Sequence, residues 1–230
     1  MTRINNENLA NYVMFKLNEL VNDFSEDELN QIEEIIINYD DEEQSSFIFL
    51  EELLKFNKLK SLTLRNGYIY NDNYNIFTKL NNLEDITFEK CEFENKNYIT
   101  KLNLKSLSFY NCKISDYSFV NSLTNLEELS IVNGNIDMDV INTLTNLVYL
   151  EISNSNTKGI IKSDKIKELH IDYTDIKNFD FLNNINSLER LSIDIKQYNS
   201  NKELFDNLSK KGILVLNENM VEFGGNTNEI

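Results

Sequence analysis

The feature that most constrains this chain is a frame of about 22 residues that recurs along it. Seven segments carry aliphatic residues at their first, fourth and sixth positions, and their starts are separated by about 19 to 24 residues. The frames begin at Leu59, Leu83, Leu104, Leu126, Leu147, Ile166 and Leu188. One such segment cannot bury its aliphatic side chains alone, so successive segments have to stack and share a core. The recurrence therefore predicts one extended domain made of stacked rungs.

Two stretches, SDYSFVNSLTNLEELSIVNGNI and TDIKNFDFLNNINSLERLSI, resemble the leucine-rich repeats of the internalin-like bacterial type. The resemblance extends over residues 59–198 and implies an α/β fold class. This fold is a leucine-rich-repeat solenoid with a parallel concave β-sheet and short 3₁₀ or α-helical segments on the convex side. Internalins are exported and commonly carry a convex proline, whereas this chain has no proline and its start lacks a secretory signal pattern. We therefore expect a cytoplasmic protein and not a surface adhesin.

Residues 1–31 predict a helical N-terminal cap, which hides the first rung from water. Apolar side chains at helical spacing indicate a helix over residues 7–22. The side chains expected on its buried face are Leu9, Val13, Leu17 and Leu20. Ser25 and Glu28 match a capping box, which predicts a second helical turn directly after Ser25.

Residues 32–198 form the predicted solenoid, and its first rung is degenerate. The segment IEEIIINYD, which starts at Ile32, fits the frame as a strand, although a helix through Asn38 is an alternative. A convex helix is expected to follow, with inward side chains at Phe47, Leu50, Leu53 and Leu54. Residues 199–230 predict a C-terminal cap with a helix that ends at Gly212, a last strand and a mobile tail.

The turns after the strands have an unusual composition. Because the chain has no proline and only six glycines, Asn, Asp and Ser are expected to supply most tight bends. Position nine of the frame favours small or polar side chains that satisfy backbone groups of the turn, and it holds Gly67, Cys91, Cys112, Gly134, Ser155 and Thr174. This placement explains both cysteines without catalysis, a metal or an oxidising compartment. We expect two free thiols, although a rung spacing of about 5 Å does not exclude a bridge between them.

The net charge limits the classes of partner. The chain has 22 basic and 38 acidic side chains, and its formal net charge is −16. Because binding to a phosphate backbone depends on Lys and Arg displacing counterions, direct nucleic-acid binding is not expected. Long-range attraction would instead accelerate the encounter with a protein that has a basic surface. No apolar run approaches the length of about 20 residues that spans a bilayer, so we expect no membrane association.

Positions three, five and seven of each frame point out of the strands onto the concave sheet. The resulting stripes are acidic, with tyrosines towards the middle and the C-terminal half. We predict a partner-binding site made of Tyr110, Glu128, Tyr149, Glu151, Glu168, His170, Asp172 and Tyr173. Exposed tyrosines contribute large contact areas at a small entropy cost. The alternative is that these rings only pack across neighbouring rungs and stabilise the sheet.

The sequence predicts no enzyme, no cofactor and no metal site. It contains no Gly-rich phosphate loop and no CxxC pair, and His170 is its only histidine. A cluster of Glu151, Glu168, Asp172 and His170 suits proton transfer or a divalent cation in principle, which keeps an enzyme as a minor alternative. Such a cluster would lie on an open sheet without a pocket that excludes water.

These observations favour a protein-binding module that acts through its acidic concave face. An inhibitor or immunity factor against a basic nucleic-acid-acting protein fits the small size and the negative charge. The alternative is a scaffold or assembly subunit that binds through its convex or cap helices. The sequence leaves the oligomeric state open, with a monomer slightly favoured.

Overall fold

The computed structural model describes residues 1–38, 50–69, 74–95, 97–217 and 219–223. The chain divides into two compact units, Met1–Ile114 and Ser115–Ile230, which are called unit 1 and unit 2 below. In each unit short parallel strands stack rung upon rung, as the recurring frame predicts. No helix among the described residues is both long enough and apolar enough to cross a bilayer.

Unit 1 alternates short strands with helical turns. Its elements are α1 (Glu7–Leu17), α2 (Glu26–Leu29), β1 (Glu34–Asn38), a 3₁₀ helix (Leu50–Lys55), β2 (Ser61–Arg65), β3 (Tyr68–Ile69), α3 (Tyr74–Phe77), β4 (Asp85–Glu89), β5 (Glu92–Phe93), a 3₁₀ helix (Asn97–Lys101) and β6 (Ser106–Tyr110). The strands β1, β2, β4 and β6 form a parallel sheet in that order, and β3 pairs with β5. The register pairs equal frame positions, for example Leu62 of β2 with Ile86 of β4.

Unit 2 repeats this pattern and ends in two helices and a strand. Its elements are a 3₁₀ helix (Ser118–Ser122), β7 (Glu128–Val132), β8 (Asn135–Asp137), α4 (Met138–Ile141), β9 (Tyr149–Glu151), β10 (Asn156–Lys158), β11 (Glu168–His170), a 3₁₀ helix (Asp180–Asn184), β12 (Arg190–Ser192), α5 (Ile195–Ser200), α6 (Lys202–Lys210) and β13 (Leu214–Leu216). The strands β7, β9, β11, β12 and β13 form a parallel sheet in that order. Equal frame positions pair here too, as Leu150 of β9 does with Leu169 of β11.

The core of each unit is the set of side chains at positions one, four and six. In the second frame of unit 2, for example, Leu147, Leu150 and Ile152 are fully buried. Position eleven is less uniform, because Ile69 and Ile136 are buried whereas Phe93 and Ile176 are only half-buried. The ring of Phe93 still packs edge-on against that of Phe88 at a centroid distance of 5.0 Å. The prediction that the aliphatic residues of successive rungs share a core is confirmed within each unit.

Position eight of the frame has a left-handed backbone in six successive frames. The residues and φ angles are Asn66 (58°), Lys90 (52°), Asn111 (56°), Asn133 (61°), Asn154 (57°) and Tyr173 (55°). Asn enters this region at a lower cost than most non-glycine residues, because its short amide bonds locally to the backbone. The expected role of Asn in the turns is therefore confirmed, and Lys90 and Tyr173 are the exceptions.

Position nine links neighbouring rungs through hydrogen bonds. The Cys91 thiol donates to the carbonyl of Leu64 at 3.2 Å, and the Cys112 thiol donates to that of Phe88 at 3.3 Å. In both cases the acceptor is position six of the preceding rung. In unit 2 the hydroxyl of Ser155 makes the same bond to Ile131 at 3.1 Å. Both cysteines are free and buried, and the Cys112 thiol together with burial raises the pKa of Cys91.

The N-terminal helix is shorter than predicted. It begins after Asn6, whose side chain accepts from the N–H of Leu9 at 2.9 Å, and it ends at Leu17 instead of residue 22. Asn18 adopts a left-handed conformation and directs the chain away from the helix axis. The prediction that Leu20 lies on the buried face of this helix is therefore wrong, since 96% of the residue is exposed. The capping box of Ser25 and Glu28 is present as predicted.

The degenerate first rung is confirmed as strand β1, whose Ile35 and Ile37 are buried. The convex helix expected after it lies partly outside the described residues, as does Phe47, and its described part is a 3₁₀ helix. Leu54 in this helix is 36% exposed instead of inward.

At the C-terminal end, α6 is followed by Gly212, which has a φ of +93°, and by the last strand, β13. The fully buried side chain of that strand is Val215. The predicted tail, residues 224–230, lies outside the described residues.

Candidate functional site

The sheet of unit 2 brings most of the predicted site residues onto one surface. The register places Glu168 of β11 between Tyr149 of β9 and Arg190 of β12. In the same way, His170 lies beside Glu151. We call Tyr149, Glu151, Glu168, His170 and Arg190 the His170 cluster. Its members come from positions three and five of adjacent rungs, which alternation along the strand turns away from the core.

Contacts within the His170 cluster hold its side chains in place. The imidazole Nε2 of His170 lies 2.9 Å from Oε1 of Glu168, and the ring centroids of His170 and Tyr149 are 5.3 Å apart at 42°. Nη1 of Arg190 lies 3.7 Å from the other carboxylate oxygen of Glu168. The side chain of His170 is only 13% exposed. Arg190 therefore forms a solvent-exposed ion pair with Glu168, and the imidazole of His170 supports the ring of Tyr149.

Glu151 and Glu128 supply the other carboxylates of this surface. The hydroxyl of Tyr149 donates to Oε2 of Glu151 over a long distance of 3.5 Å, and Glu151 is half-buried. Glu128 occupies position three of its frame, at the start of β7, where it is exposed and pairs in register with Tyr149. The carboxylates of Glu128 and Glu151 therefore lie on the same sheet as Tyr149 and His170. The result is an aromatic pair with acidic neighbours.

Asp172 does not present its carboxylate to solvent, which corrects the expectation for position seven. It is only 5% exposed and accepts hydrogen bonds from the hydroxyls of Ser192 at 2.7 Å and Ser153 at 3.1 Å. Two hydroxyl donors from the flanking rungs satisfy this buried carboxylate. Asp194, the same position of the next rung, is also buried and caps α5. Both aspartates serve the fold in this structure, because neighbouring groups occupy their oxygens.

Tyr173 and Tyr110 lie outside the His170 cluster. Tyr173 is 51% exposed, and its backbone N–H donates to Oδ2 of Asp194 at 2.9 Å. It occupies the turn after β11, at the edge of the sheet. Tyr110 is half-buried at the end of β6 and belongs to unit 1. The predicted set is thus brought together for the residues of β7, β9 and β11, whereas Tyr110, Asp172 and Tyr173 have different surroundings.

Two concave regions of unit 2 lie apart from the His170 cluster. One measures about 280 Å³ and is lined by residues around β8 and β10, including Asn135, Asp137 and Lys158. The other measures about 380 Å³ and lies beside Tyr173 and α5. Within the part of the chain that the structure describes, no group of three His, Cys, Asp or Glu side chains is placed to hold a metal ion. The His170 cluster lies on the outward face of the sheet, and its residues line neither of these concave regions.

Sequence reasoning did not include two neighbours of the predicted site. Arg190 lies at position three of the last frame but is not part of the predicted site, although its position opposite Glu168 follows from the register. Ile195 was not considered, because it begins a helix that the frame does not predict. The usable signal was a change at position eight, where Asn is replaced by Tyr173 and then by Ile195 in the last two frames.

The fold has counterparts among known proteins. A family profile described as leucine-rich repeats (two copies) matches residues 102–142. Internalin C2 from Listeria monocytogenes matches with a TM-score of 0.63 at 21% identity, over 84% of this chain and 88% of that one. The internalin inlF from the same species matches with a TM-score of 0.54 at 17% identity, over 92% and 74% of the two chains. No curated protein matches the sequence significantly. At these identities the likeness concerns the fold alone.

Proposed function

We propose that this protein, a leucine-rich-repeat chain with an internalin-like fold, binds another protein through the exposed sheet face of unit 2. The observation that carries the proposal is the packed pair of Tyr149 and His170 beside the carboxylates of Glu128 and Glu151. A ring that is already held in place loses little side-chain entropy when a partner covers it. Aromatic residues with this surrounding are typical of the energetic centre of an interface.

The charge of the chain supports a partner with a basic surface. Glu128 is exposed and Glu151 is half-exposed, so both are accessible to Lys or Arg side chains of a partner. The net charge of −16 adds long-range attraction, which increases the association rate more than the affinity. A basic protein that acts on nucleic acids is the class of target that we propose, with the carboxylates occupying the place of phosphates. Two free, hydrogen-bonded thiols suit the reducing cytoplasm, where we place this interaction.

The test compares three charge or ring variants in one binding assay. Affinity purification from the native cell at low and high salt identifies a partner, and calorimetry then gives its Kd. We expect the double variant E128K/E151K to weaken binding at least tenfold and to flatten its salt dependence. Y149A should weaken binding at both salt concentrations, because it removes apolar contact area. D164K is the matched control, since Asp164 is exposed outside the cluster. Equal Kd values for all of these chains would place the interface elsewhere.

A second candidate function, a scaffold that binds through its N-terminal cap, is supported by a separate observation in unit 1. Phe15 and Leu20 are 82% and 96% exposed, and Val21 is 67% exposed. Apolar side chains this close in sequence and this exposed are uncommon on soluble monomers unless a partner covers them. If F15S/L20S abolishes capture of the partner while E128K/E151K leaves it intact, the scaffold function replaces the first proposal.

A further inference from the structure

The side chains at position eight change character in the last two frames. The first five frames carry Asn or Lys there, and the last two carry Tyr173 and Ile195. Both of these apolar residues are 51% exposed. They occupy equal positions in adjacent rungs, which stack at about 5 Å, and the N–H of Tyr173 bonds to the Asp194 side chain next to Ile195. The two residues therefore lie at neighbouring positions along one edge of the stacked rungs.

A tyrosine is unusual at this position of the frame. Tyr173 has a φ of +55°, a conformation in which Asn is favoured over most side chains and which Asn occupies at four equivalent positions. Half of its surface is exposed, so burial does not fully compensate the unfavourable backbone. A strained residue that gains little from burial is a sign of a binding role.

A groove of about 380 Å³ adjoins this edge. Its lining includes Tyr173, Thr174, Lys177, Lys196, Gln197 and Asn201. The ion pairs that the structure describes in unit 2 involve other cations, so the ammonium groups of Lys177 and Lys196 have no acidic partner there. The carboxylate of Asp194 is already engaged by the N–H groups of Tyr173, Lys196 and Gln197. Asp194 also lines the groove and keeps its negative charge, so the two lysines leave the lining with one net positive charge on a strongly acidic chain.

We propose that Tyr173, Ile195, Lys177 and Lys196 form a second binding site, the Tyr173 edge, for an acidic peptide segment that carries an apolar side chain. The apolar side chain would contact Tyr173 and Ile195, and flanking carboxylates would pair with the two lysines. The basis is charge complementarity, because two exposed apolar residues adjoin a groove that is lined by two lysines without an acidic partner among the described ion pairs. This charge preference is opposite to that of the sheet face, so the Tyr173 edge goes beyond the function proposed above.

The experiment titrates three synthetic hexapeptides into ¹⁵N-labelled protein at about 150 mM salt, where the general repulsion by the acidic chain is screened beyond about 8 Å. The probe contains Leu and Phe between pairs of Glu. One comparison peptide replaces Glu with Lys, and the other replaces Leu and Phe with Ser. We expect saturable amide shifts at residues 173–177 and 194–201 with the probe, and at least tenfold weaker binding there for either comparison peptide. If the Lys peptide shifts amides of β9 and β11, it binds the sheet face, and such shifts are not counted as binding at the Tyr173 edge.

Two variants test the assigned residues. Y173N introduces the residue found at the equivalent positions, so the protein should stay folded with an unchanged or higher Tm while the Kd of the probe rises at least tenfold. K177E/K196E should abolish probe binding, and K162E is the matched control, because Lys162 is exposed and does not line the groove. The absence of saturable shifts at the edge, or equal probe affinity in Y173N, K177E/K196E and the wild-type protein, would overturn the proposal.

Discussion

We predict that, among the side-chain oxygens in the turns of unit 2, removal of the Ser155 hydroxyl lowers the free energy of unfolding the most. Ser155 is 3% exposed, and its Oγ donates to the carbonyl of Ile131 at 3.1 Å. The same oxygen accepts from the N–H of Gly134 at 3.0 Å. The substitution S155A removes both bonds at once, and it leaves the buried N–H of Gly134 without its acceptor.

The magnitude follows from these two contacts. A typical hydrogen bond contributes about 1 kcal/mol net, and a buried donor left unsatisfied costs about 1–3 kcal/mol. We therefore expect S155A to lower the free energy of unfolding by about 2–3 kcal/mol. For a chain of this size that corresponds to a decrease in Tm of roughly 5–10 °C.

Urea unfolding followed by circular dichroism measures the change, with S115A as the matched control. Ser115 is exposed in the same unit, so its hydroxyl should contribute less than about 0.5 kcal/mol. S155C should fall between the two, because a thiol donates and accepts only weakly but occupies this position in two other frames. If S155A and S115A unfold at the same urea concentration, position nine does not link the rungs energetically.

Two further predictions concern unit 1. Burial opposes ionisation of Glu52, but hydrogen bonds from Lys55 and from the N–H of Asn5 outweigh it and lower the pKa of Glu52. A folded-state pKa below the unfolded value gives stability that is present at neutral pH and lost as the pH falls through the folded pKa. Urea titrations should therefore show E52Q destabilised relative to wild type at about pH 7 and the difference shrinking as the pH is lowered, and a difference that does not change with pH would contradict this. Because the Cys112 thiol and burial raise the pKa of Cys91, iodoacetamide at about pH 8 should spare Cys91 in native protein and label it in urea. Mass spectrometry checks this, and rapid labelling of the native thiol would refute it.

The period of the sequence was sufficient to predict the rungs and their inward side chains. Once neighbouring rungs stack, a side chain at position four or six, such as Leu150 or Ile152, has to lie in the shared core. The role of Cys91 followed from the same argument, because equal positions meet equal surroundings in successive rungs. Features that repeat in every rung could therefore be predicted from the sequence.

Features that occur once were not visible in this way. The end of α1 depends on Asn18 adopting a left-handed conformation, and the apolar pattern of the helix continues past it to Leu20. The burial of Asp172 depends on serines that are 19 and 20 residues away in sequence and adjacent only after folding. The site prediction drew on positions three, five, seven and eight, and its expectation that Asp172 at position seven is exposed was wrong for this reason.

The pairing of equal frame positions also determines which changes of length this chain tolerates. One residue added within β4 would exchange the inward and outward side chains that follow it in the strand, so Phe88 would leave the core. A residue added in the connection between two strands leaves that phase intact. The frames already start at unequal intervals of about 19 to 24 residues, which shows that the connections absorb such variation. Insertions are therefore expected to accumulate away from the sheet, and the chain can lengthen within it only by whole rungs.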